Sequence, residues 1–465
     1  MKNDSVKNKL LGGAAVLGAG TFIAKLLGAV YRVPLTTILG GTGIGLYQMV
    51  FPVYTVLLDF SGAGAPSALS KLIAGGGEEK NLLAKKYLSV SLKLFSALGA
   101  IFSLFMLVFS KTLAIAQGNE NAFLSYAFLS PAVFFVCLVT PFRGYFQGLM
   151  DMKPTALSQI TEQLVKLCFG LLFAKLFAYD SARAAAGAAF AITISEAVAA
   201  LYLFVVYKKR IRSEEKLPPL DRTEAFSYCK KLIKTAVPVT LIGIIVPLSA
   251  VADSFIAVNI LNGYRTDATA LYGLFSGVAM TIIGLPVAIC YGIAATAIPA
   301  VSGSCNENER RKNGKRAIVL TVLFSLPCAA FLYFFSPFTI NFLFRSLPSY
   351  ERETAAALLK LLSPAVVLLS LLQTQNAVLI GRGRLYSPMI AMIFGVAVKT
   401  VSEIFLIKNP AFNVYGLGAA VIACYLVADL INFITLSKKT ESSESQSVVK
   451  NESATDKLRG DCRPE

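Results

Sequence analysis

The sequence has no histidine and no tryptophan, and only 15% of its 465 residues are charged. Without histidine, the chain lacks the commonest general base and the commonest metal ligand of proteins. Its 8 cysteines are scattered and include no CxxC pair, so neither a zinc cluster nor a disulfide framework is expected. These absences disfavour a hydrolase. We expect a protein that is not an enzyme and that has no cofactor and no metal.

Apolar residues are abundant instead: 55% of the chain is hydrophobic, and the mean hydropathy is +0.64. Several apolar runs are long enough, at about 1.5 Å per residue, to cross a hydrocarbon core of roughly 30 Å. No long segment alternates with a period of two, which disfavours a transmembrane barrel. The sequence therefore predicts an all-α polytopic transmembrane helix bundle.

Twelve transmembrane helices are predicted from the apolar runs and their breaks. They lie near residues 9–31, 44–74, 84–110, 121–149, 155–178, 183–207, 232–260, 268–301, 315–335, 353–381, 386–408 and 413–437. The first six form a predicted N-lobe, residues 1–207, and the last six a C-lobe, residues 232–437. A polar, basic linker at 208–231 separates the lobes, and the polar tail, residues 438–465, is expected to be disordered.

The net charge of +17 is a signal of topology. Lys and Arg are confined to short connections between apolar runs, mainly at residues 2–9, 80–86, 208–231, 310–316 and 382–384. Positive loops resist translocation, so these connections are predicted to be cytoplasmic, together with both termini. We expect a multi-pass protein of the bacterial cell membrane and no binding of nucleic acid.

An internal repeat links the two predicted lobes. Elements that recur at one offset of 233 residues are Ser130-Pro131-Ala132-Val133 with Ser363-Pro364-Ala365-Val366, Gly148 with Gly381, and Lys166 with Lys399. Each repeat holds an even number of helices, so the halves should run in parallel around a pseudo-two-fold axis along the membrane normal. Two such lobes predict a central cleft with alternating access. A duplicated scaffold without transport is the other interpretation.

Ionisable residues lie inside the apolar runs, where each charge costs roughly 2.5 to 3.5 kcal/mol at a helix centre. The predicted cationic wall of the cleft consists of Lys25, Arg32, Arg143, Lys166 and Lys399. The cleft carboxylates, which are candidates for ion coupling, are Asp59, Glu162, Glu196, Asp253, Glu403 and Asp429. Arg32 and Arg143 lie nearer the predicted interfaces, where arginine is also an ordinary anchor.

The role of the lysines stays open between two interpretations. Lys166 follows Glu162 by four residues, and Glu403 follows Lys399 by four, so each pair shares a helix face. The pairs either neutralise themselves or present their lysines to an anionic ligand. Lys25 has no acidic residue at helical spacing, which favours the second role for it.

Small residues in the first two predicted helices suggest local bends. The segment 40–45 is rich in glycine and is predicted to be a turn between two helices. Gly62, Gly64 and Pro66 lie inside the second predicted helix, where they are candidates for a gating hinge.

The stretch RGYFQGLMDMKPTALSQITEQLVKL at 143–167 and the stretch SGAGAPSALSKL at 61–72 resemble a known family. The chain looks like a member of the stage V sporulation protein B family, within the multidrug, oligosaccharidyl-lipid and polysaccharide exporter superfamily. That resemblance implies a flippase of undecaprenyl-pyrophosphate-linked saccharides, related to the flippases of the peptidoglycan precursor lipid II. The cationic pair that lipid II flippases carry in helix 2 has no counterpart at 54–59.

The expected function is alternating-access export of a polyprenyl-pyrophosphate-linked saccharide, with membrane lipids and cell-wall synthesis machinery as partners. A cation-coupled multidrug exporter of the same superfamily is an alternative, and its cleft should be dominated by carboxylates. A structural partner in sporulation or cell-wall assembly, without transport, is another.

Overall fold

The structure, a computed structural model, describes residues 2–60, 64–76, 80–211, 221–304, 306–384 and 386–437. Within these ranges the chain is helical, with short turns and no β-strand. Of the helices described, 10 are long and apolar enough to span a membrane. The predicted all-α polytopic bundle is confirmed. The predicted disordered tail, 438–465, lies outside the described residues.

Helices of the N-terminal half cover the first six predicted segments, but the fifth, 155–178, is not among the candidate membrane spans. They are α1 Lys2–Leu58, α2 Ala65–Ala74, α3 Lys80–Val108, α4 Ser110–Ala116, a 3₁₀ turn Glu120–Ala122, α5 Phe123–Gly148, α6 Lys153–Leu176 and α7 Ser181–Ile211.

Helices of the C-terminal half match the other six. They are α8 Arg222–Gly243, α9 Ile245–Asn262, α10 Ala268–Gly273, a π-helical turn Leu274–Ala279, α11 Met280–Ser302, α12 Glu307–Phe334, α13 Ser336–Leu343, α14 Ser349–Leu362, α15 Pro364–Gly381, α16 Tyr386–Lys408 and α17 Tyr415–Ser437.

Helix boundaries near the N-terminus differ from the prediction. The first predicted helix ends at 31, but α1 continues to a break at Gly40, whose φ of 65° requires a residue without a side chain. The second predicted helix is interrupted, because α1 ends at Leu58 and α2 begins at Ala65. Pro66 lies in the first turn of α2, where its missing N–H costs nothing. Of the predicted hinge residues, Gly64 directly precedes α2, and Gly62 lies outside the described residues.

The predicted linker is helical at both described ends. Helix α7 continues to Ile211, and α8 begins at Arg222 after Asp221, whose carboxylate accepts a hydrogen bond from the Arg222 N–H. An N-cap aspartate of this kind satisfies one of the orphan donors of the first turn.

The chain forms two compact units. Unit 1 comprises Met1–Leu285, Phe331–Ser363 and Lys399–Val421, and unit 2 comprises Pro286–Ala330, Pro364–Val398 and Ile422–Glu465. In unit 1, α5 packs against α2, α3 and α7. In unit 2, a smaller apolar core contains Val301, Ala317 and Val378. The division into lobes at 1–207 and 232–437 stays a prediction.

Glycines allow close helix packing in both units. A side chain at Gly148 on α5 would lie 2.8 Å from Ile73 Cβ on α2, in unit 1. Its repeat equivalent, Gly381, ends α15 in unit 2, where a side chain would lie 2.9 Å from Val301 Cβ on α11. Both glycines therefore let one helix approach another more closely than any larger residue permits.

Candidate functional site

Arg143 on α5 is the centre of a polar group in the N-terminal half. Its Nε donates to Ser158 Oγ at 3.0 Å, and its Nη2 donates to Glu162 Oε2 at 3.0 Å. Ser158 and Glu162 are four residues apart on α6, so both face the same guanidinium. The side chains of Arg143 and Glu162 are 17% and 16% exposed. Glu162 is therefore paired across helices, by a contact that helical spacing alone does not reveal.

Lys166 lies one turn further along α6 and is half-buried. Its Nζ is 6.0 Å from the centre of the Tyr31 ring on α1. The charges of Glu162, Glu196 and Arg32 act on it, yet it forms no ion pair within 4.0 Å with any residue that the structure describes.

Two further charges complete this group. Glu196 on α7 is only 6% exposed and interacts with Glu162, Arg143 and Lys166. Arg32 on α1 donates from Nη1 to Thr281 Oγ1 at 3.0 Å, and its guanidinium lies 5.9 Å from the Phe51 ring centre. Because α1 extends beyond 31, Arg32 lies well inside a helix. We call Arg32, Arg143, Glu162, Lys166 and Glu196 the N-terminal cluster.

Lys399 on α16 is the centre of a second polar group. Its Nζ donates to Ser249 Oγ at 2.8 Å and to Asp253 Oδ2 at 2.5 Å, both on α9. The side chains of Lys399 and Asp253 are 9% and 10% exposed. Glu403, one turn further along α16, is 0% exposed. Neither of its oxygens has a hydrogen-bond partner among the described residues. We call Ser249, Asp253, Lys399 and Glu403 the C-terminal cluster; it lies in unit 1.

The remaining predicted site residues lie elsewhere. Asp429 belongs to unit 2, where the Gln375 amide, oriented to donate, is 3.3 Å from its Oδ1. Lys25 is exposed on α1, and Asp59 is half-buried directly after α1.

A row of hydrogen bonds joins the N-terminal half to α9, α10 and α14 within unit 1. The Gly41 N–H donates to Glu351 Oε2 at 3.1 Å, and Asn119 Nδ2 donates to Thr269 Oγ1 at 2.8 Å. The buried Gln117 donates to Ser254 Oγ at 2.8 Å. Every one of these contacts lies at or near the connections that the charge pattern predicts to be outside. We call this row the polar seam; its glutamine and asparagine residues have no signature in the sequence.

Glu351 of the seam and the neighbouring Asp267 have shifted pKa values. Burial raises the pKa of Glu351, the hydrogen bond from the Gly41 N–H partly offsets this rise, and the charge of Asp267 adds a smaller rise. Hydrogen bonds from Arg265 lower the pKa of Asp267. The Arg265 guanidinium donates twice to the Asp267 carboxylate, at 2.8 Å each.

Family models match both halves of the chain. The model described as "Polysaccharide biosynthesis protein" matches residues 10–305, which is more than half of the chain. The MatE model matches residues 238–404.

Two curated relatives come from Bacillus subtilis (strain 168). Stage V sporulation protein B is 28% identical over 444 residues, which cover 93% of this chain and 84% of the relative. Lipid II flippase MurJ is 27% identical over 458 residues, covering 93% and 83%. Neither relative is named as an enzyme.

Solved structures share the fold. An inward-facing MATE family transporter of the MOP superfamily aligns with a TM-score of 0.73 at 17% identity, covering 92% of this chain and 96% of that one. The inward closed conformation of lipid II flippase MurJ aligns with a TM-score of 0.70 at 14% identity, covering 91% and 88%. The resemblance predicted from residues 143–167 is thereby confirmed. This chain is a multi-pass membrane protein that belongs to the polysaccharide biosynthesis protein family.

Proposed function

We propose that this protein is a flippase that moves an undecaprenyl-pyrophosphate-linked saccharide to the outer leaflet of the cell membrane. The observation that carries the proposal is Lys166, a half-buried cation in α6, a predicted membrane span, that has no ion pair within the described residues. With all its groups ionised, the N-terminal cluster has three cations and two carboxylates, so one positive charge is in excess. An intramembrane cation of this kind marks a ligand or ion pathway.

A pyrophosphate headgroup suits this cluster chemically. Arginine and lysine donors bind phosphate oxygens through charge-assisted hydrogen bonds, which are stronger than neutral ones. One curated relative supports the same substrate class, because it is named as a flippase of lipid II. An inside-negative potential also favours outward movement of an anion, by about 2.3 kcal/mol per charge per 100 mV.

The polar seam supports an alternating-access cycle. It ties the predicted N-lobe to helices of the predicted C-lobe at the end that we propose to be outside, with both termini cytoplasmic. Release of the headgroup to the outer leaflet would require these hydrogen bonds to break while the lobes rearrange. The break at Gly40 and the position of Gly64, directly before α2, are our candidates for the hinges.

The C-terminal cluster has a different proposed role. Lys399 is neutralised by Asp253 at 2.5 Å, so it offers a headgroup less positive charge than Lys166. The buried carboxyl of Glu403 beside this pair is a candidate for coupling to a proton or Na⁺, together with Asp429 in unit 2.

Transbilayer movement in proteoliposomes tests the proposed flippase. Purified undecaprenyl-pyrophosphoryl saccharide is reconstituted with wild-type protein, with Lys166→Gln and with Lys25→Ala. Lys175→Gln is the matched control, since Lys175 is exposed on the same helix. We expect Lys166→Gln to slow the movement about tenfold or more, which corresponds to about 1.4 kcal/mol, and the control to leave it unchanged. Equal rates for Lys166→Gln and wild type would remove Lys166 from the path.

A cation-coupled multidrug exporter is the second candidate, favoured by the buried carboxylates Asp253 and Glu403 within the MatE match at 238–404. The same proteoliposomes loaded with a fluorescent cationic drug separate the two. Drug efflux driven by a proton or Na⁺ gradient, without lipid movement, would favour the exporter. No transport of either compound by folded protein would favour a structural role in sporulation or cell-wall assembly.

A further inference from the structure

Four arginines converge in unit 2, at the end of its helices that the charge pattern predicts to be cytoplasmic. Arg310 and Arg311 lie in the first turns of α12, and Arg382 and Arg384 follow α15. All four are half-buried. Burial lowers the pKa of Arg382, Glu307 raises it, and the charges of the other three arginines lower it further. Like charges that interact with one another are unfavourable unless an anion compensates them.

A glycine turn fixes the direction of two of these arginines. Gly383 has a φ of 81°, and the Arg384 N–H donates to the Leu379 carbonyl at 2.9 Å. This is the Schellman ending of a helix. It needs one residue in the left-handed backbone conformation, which glycine adopts most easily. The turn at Gly383 directs the side chains of Arg382 and Arg384 to the C-terminal end of α17. There Arg382 Nη1 donates to the Leu436 carbonyl at 3.2 Å, and Arg384 Nη1 donates to the Thr435 carbonyl at 2.7 Å.

Capping of α17 explains only part of this arrangement. Arginine near a helix C-terminus commonly donates to the last carbonyls. Each guanidinium has five N–H donors, however, and the bonds to α17 described above use only one donor of each. Arg382 Nε and Arg310 Nε are buried and have no hydrogen-bond partner among the described residues. Arg311 donates from Nε to Glu307 Oε1 at 3.2 Å, which neutralises one of the four charges.

We propose that Arg310, Arg311, Arg382 and Arg384 form a binding site for a phosphate group, and that its ligand is the headgroup of an anionic membrane lipid. Buried donors that lack a partner are costly, and guanidinium groups match phosphate oxygens with paired hydrogen bonds. Basic pockets between transmembrane helices on the cytoplasmic side take such headgroups. A free pyrophosphate compound has the same chemistry and is the alternative source. The site is distinct from the N-terminal cluster, which lies in unit 1.

The test compares two pairs of substitutions that remove equal charge from the same region. The site variant is Arg310→Gln with Arg382→Gln. The control is Lys312→Gln with Lys315→Gln, because both lysines are exposed on α12. Full-length protein is purified, and retention of phosphatidylglycerol against phosphatidylcholine is measured by native mass spectrometry. We expect the site variant to lose binding about tenfold or more and the control to lose less, because the exposed lysine charges are screened by salt whereas the buried guanidinium donors contact the phosphate directly.

Sodium pyrophosphate, titrated into delipidated protein, distinguishes the source of the phosphate. Binding of phosphatidylglycerol that pyrophosphate does not displace supports the lipid headgroup. Binding of pyrophosphate alone, lost in the site variant, overturns the lipid as ligand but keeps the phosphate site. Equal losses in the site and control variants would show general surface attraction and overturn the site.

Two single variants guard against misfolding. Arg310→Gln removes no bond to α17, so it should fold normally and still weaken lipid retention. Arg382→Lys keeps the charge but loses the Nε–H and the planar donors. Normal lipid retention by both folded variants would contradict the proposal.

Discussion

Lys166 and Lys399 occupy equivalent positions of the internal repeat, yet their surroundings have opposite character. Lys399 is bonded to Asp253 and Ser249 of α9, the first long apolar helix of its half. Lys166 faces α1, the first helix of the other half, which contributes Tyr31 and Arg32. Both halves of the repeat therefore carry the lysine. Whether its charge is neutralised or available to a ligand depends on the helix that faces it, α9 or α1. This difference is why we assign headgroup binding to one cluster and ion coupling to the other.

The largest expected effect comes from breaking the neutralised pair. Asp253→Ala leaves Lys399 buried without its carboxylate, and loss of one partner of a buried ion pair typically costs about 3 to 5 kcal/mol. We expect a correspondingly lower midpoint of thermal unfolding in detergent. Lys166→Gln should change that midpoint little, because no ion pair is lost.

The double variant Asp253→Leu with Lys399→Met is the control for this prediction. Removing both charges should recover most of the lost stability, since apolar replacements of buried pairs are often neutral or stabilising. If Asp253→Ala alone unfolds at the wild-type temperature, Asp253 does not hold Lys399 in the membrane.

A smaller effect is expected where the two halves are alike. Gly148→Ala and Gly381→Ala each place a methyl group within 3.0 Å of a neighbouring side chain, on Ile73 and Val301. Overpacking of this kind typically costs about 1 to 3 kcal/mol. Thermal unfolding should show similar losses for both variants, and Gly243→Ala is the control because open space surrounds that position. A loss for only one of the two would mean that the repeat does not preserve this packing.

The smallest effect concerns the pH dependence of the polar seam. Because the closed seam raises the pKa of Glu351, it binds a proton more tightly than the open, solvated form does. The contribution of Glu351 to closure is therefore fully present below a pH of about 4.3, the ordinary glutamate pKa. It is lost as the pH rises through the raised pKa of Glu351.

Hydrogen exchange at the Gly41 N–H measures this effect. The quantity to compare is the exchange rate of the wild type divided by that of Glu351→Gln at each pH. The ratio cancels the intrinsic pH dependence of exchange, and it should increase with pH. Asp221→Asn is the control, because Asp221 lies outside the seam and its pKa is lowered by its own hydrogen bonds. A ratio independent of pH would show that Glu351 does not titrate in the seam.

The helices were largely predictable, because an apolar run long enough to cross a bilayer almost always forms a transmembrane helix. Their interruptions were less so. Proline is the reason in two cases: α2 has Pro66 in its first turn and α15 begins at Pro364, since proline lacks the N–H that would continue a preceding helix. Pro34, in contrast, lies inside α1 without ending it, so the prediction of an end at 31 was wrong.

The site was predictable in its residues but not in its partnerships. Glu162 shares a helix face with Lys166, but Arg143 on α5 binds it at 3.0 Å. Asp253 and Lys399 are separated by 146 residues, and no spacing rule connects positions so far apart. Local periodicity indicates which face of a helix a charge occupies, whereas the partner depends on which helices pack together.

That separation of 146 residues also affects how the protein is made. At about 5 to 20 residues per second, the ribosome completes α16 roughly 7 to 30 seconds after α9 has emerged. During that interval the nascent chain holds Asp253 in or near the bilayer without Lys399. Chains that stop before α16 should therefore be substrates for membrane quality control, and the late arrival of one lysine would mark a newly synthesised molecule as complete.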